Sequence, residues 1–223
     1  MLFRSGVQFF EILIEGKPTM MEYMWTQPSS IDQAIRILQG FRDFNLTRNT
    51  LQSHPYYDMY PAELPKAPLN ISVINTGIFP GTTAGKVVLK GSAECLPNDS
   101  IKEMKRSITK FLKRLITTDP VLKAVKYKLK WWGMMQEPAI TPMDHPLVEI
   151  LIENGKKELG LVPTAVGAGG SDLRILNLYA QAPTVMYGVD GGNGHGIDEY
   201  IEIESLFHTL KIVLHTIFDF CGV

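Results

Sequence analysis

Val125-Lys126-Tyr127-Lys128-Leu129-Lys130-Trp131 decides the architecture of the first half of this chain. Apolar residues alternate strictly with lysines, the period-two pattern of a strand with one face buried and one wet. Ahead of it, Ile101, Met104, Ile108, Phe111, Leu112 and Leu115 recur at helical spacing, with Lys102, Lys105, Arg106, Lys110 and Lys113 elsewhere on the cylinder. Those cations read as a solvated helix face. Farther back, residues 69–74 and 86–96 read as two strands joined by a Gly- and Thr-rich connection, and residues 7–14 as another strand ending at Gly16. Between them Ile31, Ala34, Ile35, Leu38 and Phe41 follow Pro28 and the capping candidates Ser29 and Ser30, predicting an amphipathic helix to about Phe44. Residues 45–68 hold Pro55, Pro61, Pro65 and Pro68 and read as a long ordered loop. The resulting order is βαββαβ, the ferredoxin-like split unit.

Beyond Pro138 the pattern changes. Pro142 and Pro146 bracket Asp144 and His145 and precede a helix carrying Leu147, Ile150, Leu151 and Leu159. Residues 162–166 read as a short strand, a short helix follows near 173–179, and residues 184–187 read as another strand running into a glycine-rich loop. A last helix carries Ile203, Leu206, Leu210, Val213, Leu214 and Ile217. This αβαβα run is an α/β fragment with its loops at strand ends. The fold class is therefore α+β, with a ferredoxin-like region at 1–135 and the α/β fragment at 136–223.

Composition narrows the partners. The 223 residues are 45% hydrophobic and 20% charged, with a formal net charge of -1 and no block of like charges. No electrostatic footprint for nucleic acid or an anionic membrane surface is expected. No run approaches the roughly 20 apolar residues of a bilayer span, and Gln8, Glu11 and Glu15 interrupt any secretory signal. Cys95 and Cys221 lie far apart, outside any Cys-x-x-Cys pair, and read as two reduced thiols of a cytoplasmic protein.

Two stretches can carry chemistry. Gly169-Gly170-Ser171-Asp172-Leu173-Arg174 falls where a strand gives way to a helix, so its glycines let backbone approach a ligand and Arg174 can fork onto a carboxylate. The same residues also read as a tight turn with a surface Arg and a helix-capping Asp172. Gly191-Gly192-Asn193-Gly194-His195-Gly196-Ile197-Asp198-Glu199-Tyr200 presents an imidazole on a glycine-rich loop, a geometry suited to zinc. It lacks the Gly-Lys-Ser/Thr ending of a phosphate cradle. A lone loop His is more often without chemical role.

Taken in order, these pieces resemble the zinc-dependent acetylornithine deacetylase, succinyl-diaminopimelate desuccinylase and carboxypeptidase G family. Gly170-Ser171-Asp172-Leu173-Arg174 is similar to that family's Gly-Thr-Asp-Ala-Arg, and His195-Gly196-Ile197-Asp198-Glu199-Tyr200-Ile201 to its His-x-x-Asp/Asn-Glu-Tyr-Val ending. Asp144-His145-Pro146 resembles a segment of the acetylornithine deacetylase branch, and the βαββαβ unit resembles the inserted lid. The resemblance implies an amide hydrolase acting on an N-acyl amino acid or peptide-like molecule with two zinc ions. In it His195 is a zinc ligand, Arg174 holds the substrate carboxylate, and Gly169, Gly170 and Ser171 shape the pocket. The lid is the surface through which a homodimer is expected to form.

Departures from the family pattern matter as much. Its His-x-Asp strand end, bridging Asp and Glu-Glu pair with the general base fall ahead of Val7 and outside this sequence, so a separate chain carrying that half is an expected partner. One His cannot hold zinc, which takes three or four ligands. Where the family places its lid His this chain has Met20, and the lid Arg falls on Ser92. Each lost donor of that kind costs about a hundredfold in rate. The sequence therefore reads as a truncated or split amidohydrolase, or as a non-catalytic dimerising or binding module derived from one.

Overall fold

A two-residue strand, β1 (Phe3–Arg4), leads into the ten-residue β2 (Gly6–Glu15), an inner strand of the first unit's sheet. The computed structural model describes residues 3–51, 54–55, 65–162 and 170–222. After β2 come a 3₁₀ turn (Met21–Thr26), α1 (Ser30–Leu51), β3 (Leu69–Thr76), β4 (Lys86–Cys95), α2 (Ile101–Thr118) and β5 (Lys126–Gln136). The sheet order is β3-β4-β2-β5 with every neighbouring pair antiparallel. This is the βαββαβ order expected from the alternation at 125–131, and its chemistry is the alternation itself. Phe10, Ile12 and Ile14 are fully buried on the helix side of β2, while Glu11 and Glu15 stand on the other side and pair with Lys90 and Lys128.

Helix burial follows the 3.6-residue period. α2 buries Ile101, Met104, Ile108 and Leu112, and its cations stay outside. Ser100 caps it, its hydroxyl accepting from the Glu103 N–H and donating to the Glu103 carboxylate at 3.2 Å, while the Ser100 N–H goes to the Asp99 carboxylate. On α1 the buried line is Ala34, Ile37 and Phe41, so the expected stripe is displaced by about one position: Ile31 and Ile35 are exposed. α1 also continues to Leu51 instead of ending near Phe44, because no proline interrupts it before Pro55. The stretch read as loop from residue 45 is thus helical in its first third. Arg48, on the last turn of α1, donates to the carbonyls of Ala67 and Glu94 and ties the incoming chain to β4.

The contacts divide the chain into two compact units, Ser5–Pro138 and Met1–Arg4 with Ala139–Val223. In the second unit β1 pairs with β6 (Ala139–Ile140). α3 (Pro146–Leu159) starts at His145, whose Nδ1 accepts from the Leu147 N–H at 3.2 Å, and ends at Gly160 with φ 70°. It is followed by α4 (Leu173–Leu178), the two-residue strands β7 (Gly191–Gly192) and β8 (Tyr200–Ile201), and α5 (Ile203–Cys221). α3 and α5 meet through Asn154, which donates to Asp219 at 2.9 Å, and through Glu158, which accepts from Lys211 at 2.8 Å and pairs with His208. The Lys211 bond first and His208 second hold the Glu158 carboxyl below the usual carboxylate range. No described helix is long and apolar enough to cross a membrane.

One strand expectation is corrected. Residues 184–187 join no ladder among the described residues. The Thr184 N–H goes to the Thr141 hydroxyl at 3.1 Å instead. Of the other expected strand, residues 163–166 lie outside the described residues.

Candidate functional site

The residues singled out for chemistry all belong to the second unit. Gly169 lies outside the described residues; Gly170 and Ser171 lead directly into α4, on whose first turn Arg174 sits. Asp172 occupies the N-cap position, but its side chain makes no capping bond. Its carbonyl accepts from the Ile175 N–H at 2.9 Å. Ser171 Oγ and Arg174 Nε are both buried and have no hydrogen-bond partner among the described residues. A desolvated polar group left unpaired costs about 1–3 kcal/mol.

Sequence reasoning overlooked what holds α4. Thr141, 1% exposed, donates to the Thr184 carbonyl at 2.6 Å and accepts from Asn177 Nδ2 at 3.0 Å and from the Thr184 N–H. One hydroxyl therefore joins the segment after β6, the end of α4 and the chain beyond it. A Thr one residue before a proline carries no sequence signal for such a role.

His195 sits in the turn between β7 and β8, where Gly191 pairs with Ile201 and Gly192 with Tyr200. Three non-glycine residues of this turn have left-handed backbone: Asn193 at φ 57°, His195 at 64° and Asp198 at 58°. The turn is closed by the Gly196 N–H on the Asn193 carbonyl at 2.7 Å, and its base by the Glu202 N–H on the Asp190 carbonyl at 2.8 Å. Ser205, in the first turn of α5, accepts from the Asp190 N–H at 2.9 Å. The imidazole is exposed and has no hydrogen-bond or ion-pair partner among the described residues. Left-handed conformation at such residues marks functional loops when the surroundings hold it. Nearby, burial and then Asp190 push the Tyr187 hydroxyl above its ordinary pKa.

No hydrogen bond joins His195 to Arg174 among the described residues, and these contain no group of three or more His, Cys, Asp or Glu able to hold a metal ion. In the first unit, Met20 is 58% exposed and bridges Thr82, while Ser92 lies in β4 opposite Phe9 and Asn70. Beside Met20's neighbours Pro18 and Thr83 runs a groove of about 870 Å³, lined also by Ile78 and Phe79.

A family model described as peptidase family M20/M25/M40 matches residues 6–219. Among solved structures, an amidase of the hydantoinase/carbamoylase family from Burkholderia multivorans superposes with a TM-score of 0.72 at 14% identity, over 98% of this chain and 48% of its own. A tripeptidase from Staphylococcus aureus matches at 0.67 and 20% identity, over 97% and 52%. Human carnosine dipeptidase 1 matches at 0.69 and 12% identity, over 100% and 56%. At these identities the likeness is one of fold, and the chain spans about half the length of these proteins. No curated protein matches it in sequence.

Proposed function

The chain belongs to the M20/M25/M40 peptidase family, and from that premise we propose that it is one component of a metal-dependent amide hydrolase completed by residues outside this chain. In this reading Ser5–Pro138 is the lid, and the second unit is a segment of the catalytic domain of the acetylornithine deacetylase type. Arg174 holds the carboxylate of an N-acyl amino acid or peptide-like substrate through its planar fork. Gly169, Gly170 and Ser171 form the wall beside it, and His195 contributes one ligand to the zinc pair.

The supporting observation is that Arg174 Nε and Ser171 Oγ are desolvated without partners among the described residues, on a helix fixed by Thr141. Such an arrangement suits an anionic ligand that replaces the missing bonds. The described residues do not by themselves fit two zinc ions, because His195 has no companion donors. No step of hydrolysis is therefore assigned to this chain alone.

A second reading, a non-catalytic binding module, is favoured by one feature. An exposed Met20 and Ser92 stand where the family pattern has donors to the tetrahedral intermediate. Metal analysis separates the two. The purified chain is loaded with zinc and gel-filtered, alone and with any polypeptide encoded beside it that carries His-x-Asp and Glu-Glu pairs. Retained zinc that is lost in His195→Ala supports the hydrolase component. No retained zinc in either preparation favours the binding module.

A further inference from the structure

Thr141 commits its whole hydrogen-bonding capacity to one place. A threonine hydroxyl has one donor hydrogen and two acceptor lone pairs. Here the hydrogen goes to the Thr184 carbonyl at 2.6 Å, and the lone pairs take the Thr184 N–H at 3.1 Å and Asn177 Nδ2 at 3.0 Å. The hydroxyl is saturated, and its residue is buried. The chain leaving α4 doubles back on the helix. The Ala180 N–H returns to the Ile175 carbonyl at 3.3 Å and the Ala182 N–H to the Leu176 carbonyl at 3.0 Å, with Gln181 in left-handed backbone at φ 52° between them. Thr184 follows directly and meets Thr141, so α4 and its return segment form a ring clasped by one side chain from outside it. Such a clasp matters because α4 has six residues, buries none of them, and is too short to persist as an isolated helix. Asn177 stands three residues after Arg174, a spacing that puts both on one face. Fixing Asn177 therefore fixes the face that carries Arg174.

We propose that Thr141 is a positioning residue for Arg174: through Asn177 and Thr184 its hydroxyl sets where the guanidinium stands, and with it the affinity for a carboxylate-bearing ligand. The affinity rests on the reading of Arg174 as the carboxylate site; the placement of Arg174 does not. Thr141→Val has nearly the same shape and no polar side-chain atom, so it strands the Thr184 N–H, the Thr184 carbonyl and the Asn177 amide together. Thr141→Ser keeps the hydroxyl and gives up only a methyl group. The two variants separate hydrogen bonding from packing.

The test uses the full chain and three measurements, of which only the last needs a ligand. Backbone hydrogen exchange over residues 173–182 rises about tenfold or more in Thr141→Val and stays at the wild-type rate in Thr141→Ser. Exchange in residues 150–156 of α3 is unchanged in both. Modification of Arg174 by phenylglyoxal, followed by mass spectrometry, accelerates by about the same factor in Thr141→Val alone. N-acetylglycine protects Arg174 in the wild type and in Thr141→Ser, and about ten times more of it is needed in Thr141→Val. Absence of protection in the wild type would overturn the carboxylate reading and the affinity with it, while exchange and modification still judge the placement of Arg174. Thr141→Val with wild-type exchange, Thr141→Ser behaving as Thr141→Val, or α3 exchanging faster along with α4 would each overturn the positioning role. So would an Arg174 modified at the wild-type rate while α4 exchanges faster, since Thr141 would then hold the helix without setting the guanidinium.

Discussion

Gln8 donates its side-chain amide to the carbonyls of Trp132 and Met134, each at 2.9 Å, across the irregularity where β2 and β5 slip register. The slip lies between Gln8 and Phe9, and Gly133, with φ 64°, forms the bulge opposite. A bulge leaves ladder groups unpaired, and here a 2% exposed glutamine takes their place. Gln8→Leu keeps the volume but strands both carbonyls, so urea denaturation should show a loss of about 1–3 kcal/mol. The near-ultraviolet signal of Trp132, packed on Phe9, should change with it.

Gly91 answers a different constraint. A Cβ there would stand 2.0 Å from the Asn70 carbonyl oxygen and 3.0 Å from Phe10, beside the point where β3 shifts register against β4. Neither a backbone carbonyl nor a fully buried ring can yield, so Gly91→Ala should destabilise by about 3 kcal/mol. Gly77, at φ 75° with open space around it, should lose only about 1–2 kcal/mol on the same change. Equal losses in thermal unfolding of the two variants would contradict this reading.

The cysteines should differ in reactivity. Cys95 is buried, and desolvation, with Asp99 next, pushes its thiol from an ordinary 9.0 to about 12. Cys221 is exposed. Alkylation of the native protein near neutral pH should modify Cys221 and spare Cys95, and both should react after denaturation. Above pH 9 the unfolded state releases the Cys95 proton while the folded state keeps it. Stability present below 9 should therefore be lost progressively toward about 12. Cys95→Ala should flatten that decline.

The order of elements in the first unit was legible because alternation and helical spacing are properties of contiguous residues. The displaced stripe of α1 was not, since Ile35 and Ile37 are equally apolar and only the position of the sheet decides between them. Gln8 and Thr141 were illegible for a related reason: each serves carbonyls distant in sequence, at Trp132 and Thr184. Residues 184–187 were read as a strand because an apolar run predicts one from contiguous residues, whereas a ladder needs a partner distant in sequence, and none is found among the described residues. On the site side, the contiguous Gly170-Ser171 and Arg174 could be read, whereas the left-handed backbone of His195 could not.

That backbone supplies the last test. A non-glycine residue in left-handed conformation costs about 1–2 kcal/mol, less for Asn and Asp, whose side chains bond locally. His195 pays this at φ 64° without a partner among the described residues. His195→Gly should therefore match or exceed the wild type in stability by about 1 kcal/mol, while His195→Ala, which keeps the strain, should not. If the imidazole is a zinc ligand, both variants should lose retained zinc equally, so metal content follows the side chain and stability follows the backbone. A His195→Gly protein less stable than the wild type would mean instead that the imidazole holds the turn together, and its place in the loop would then be structural.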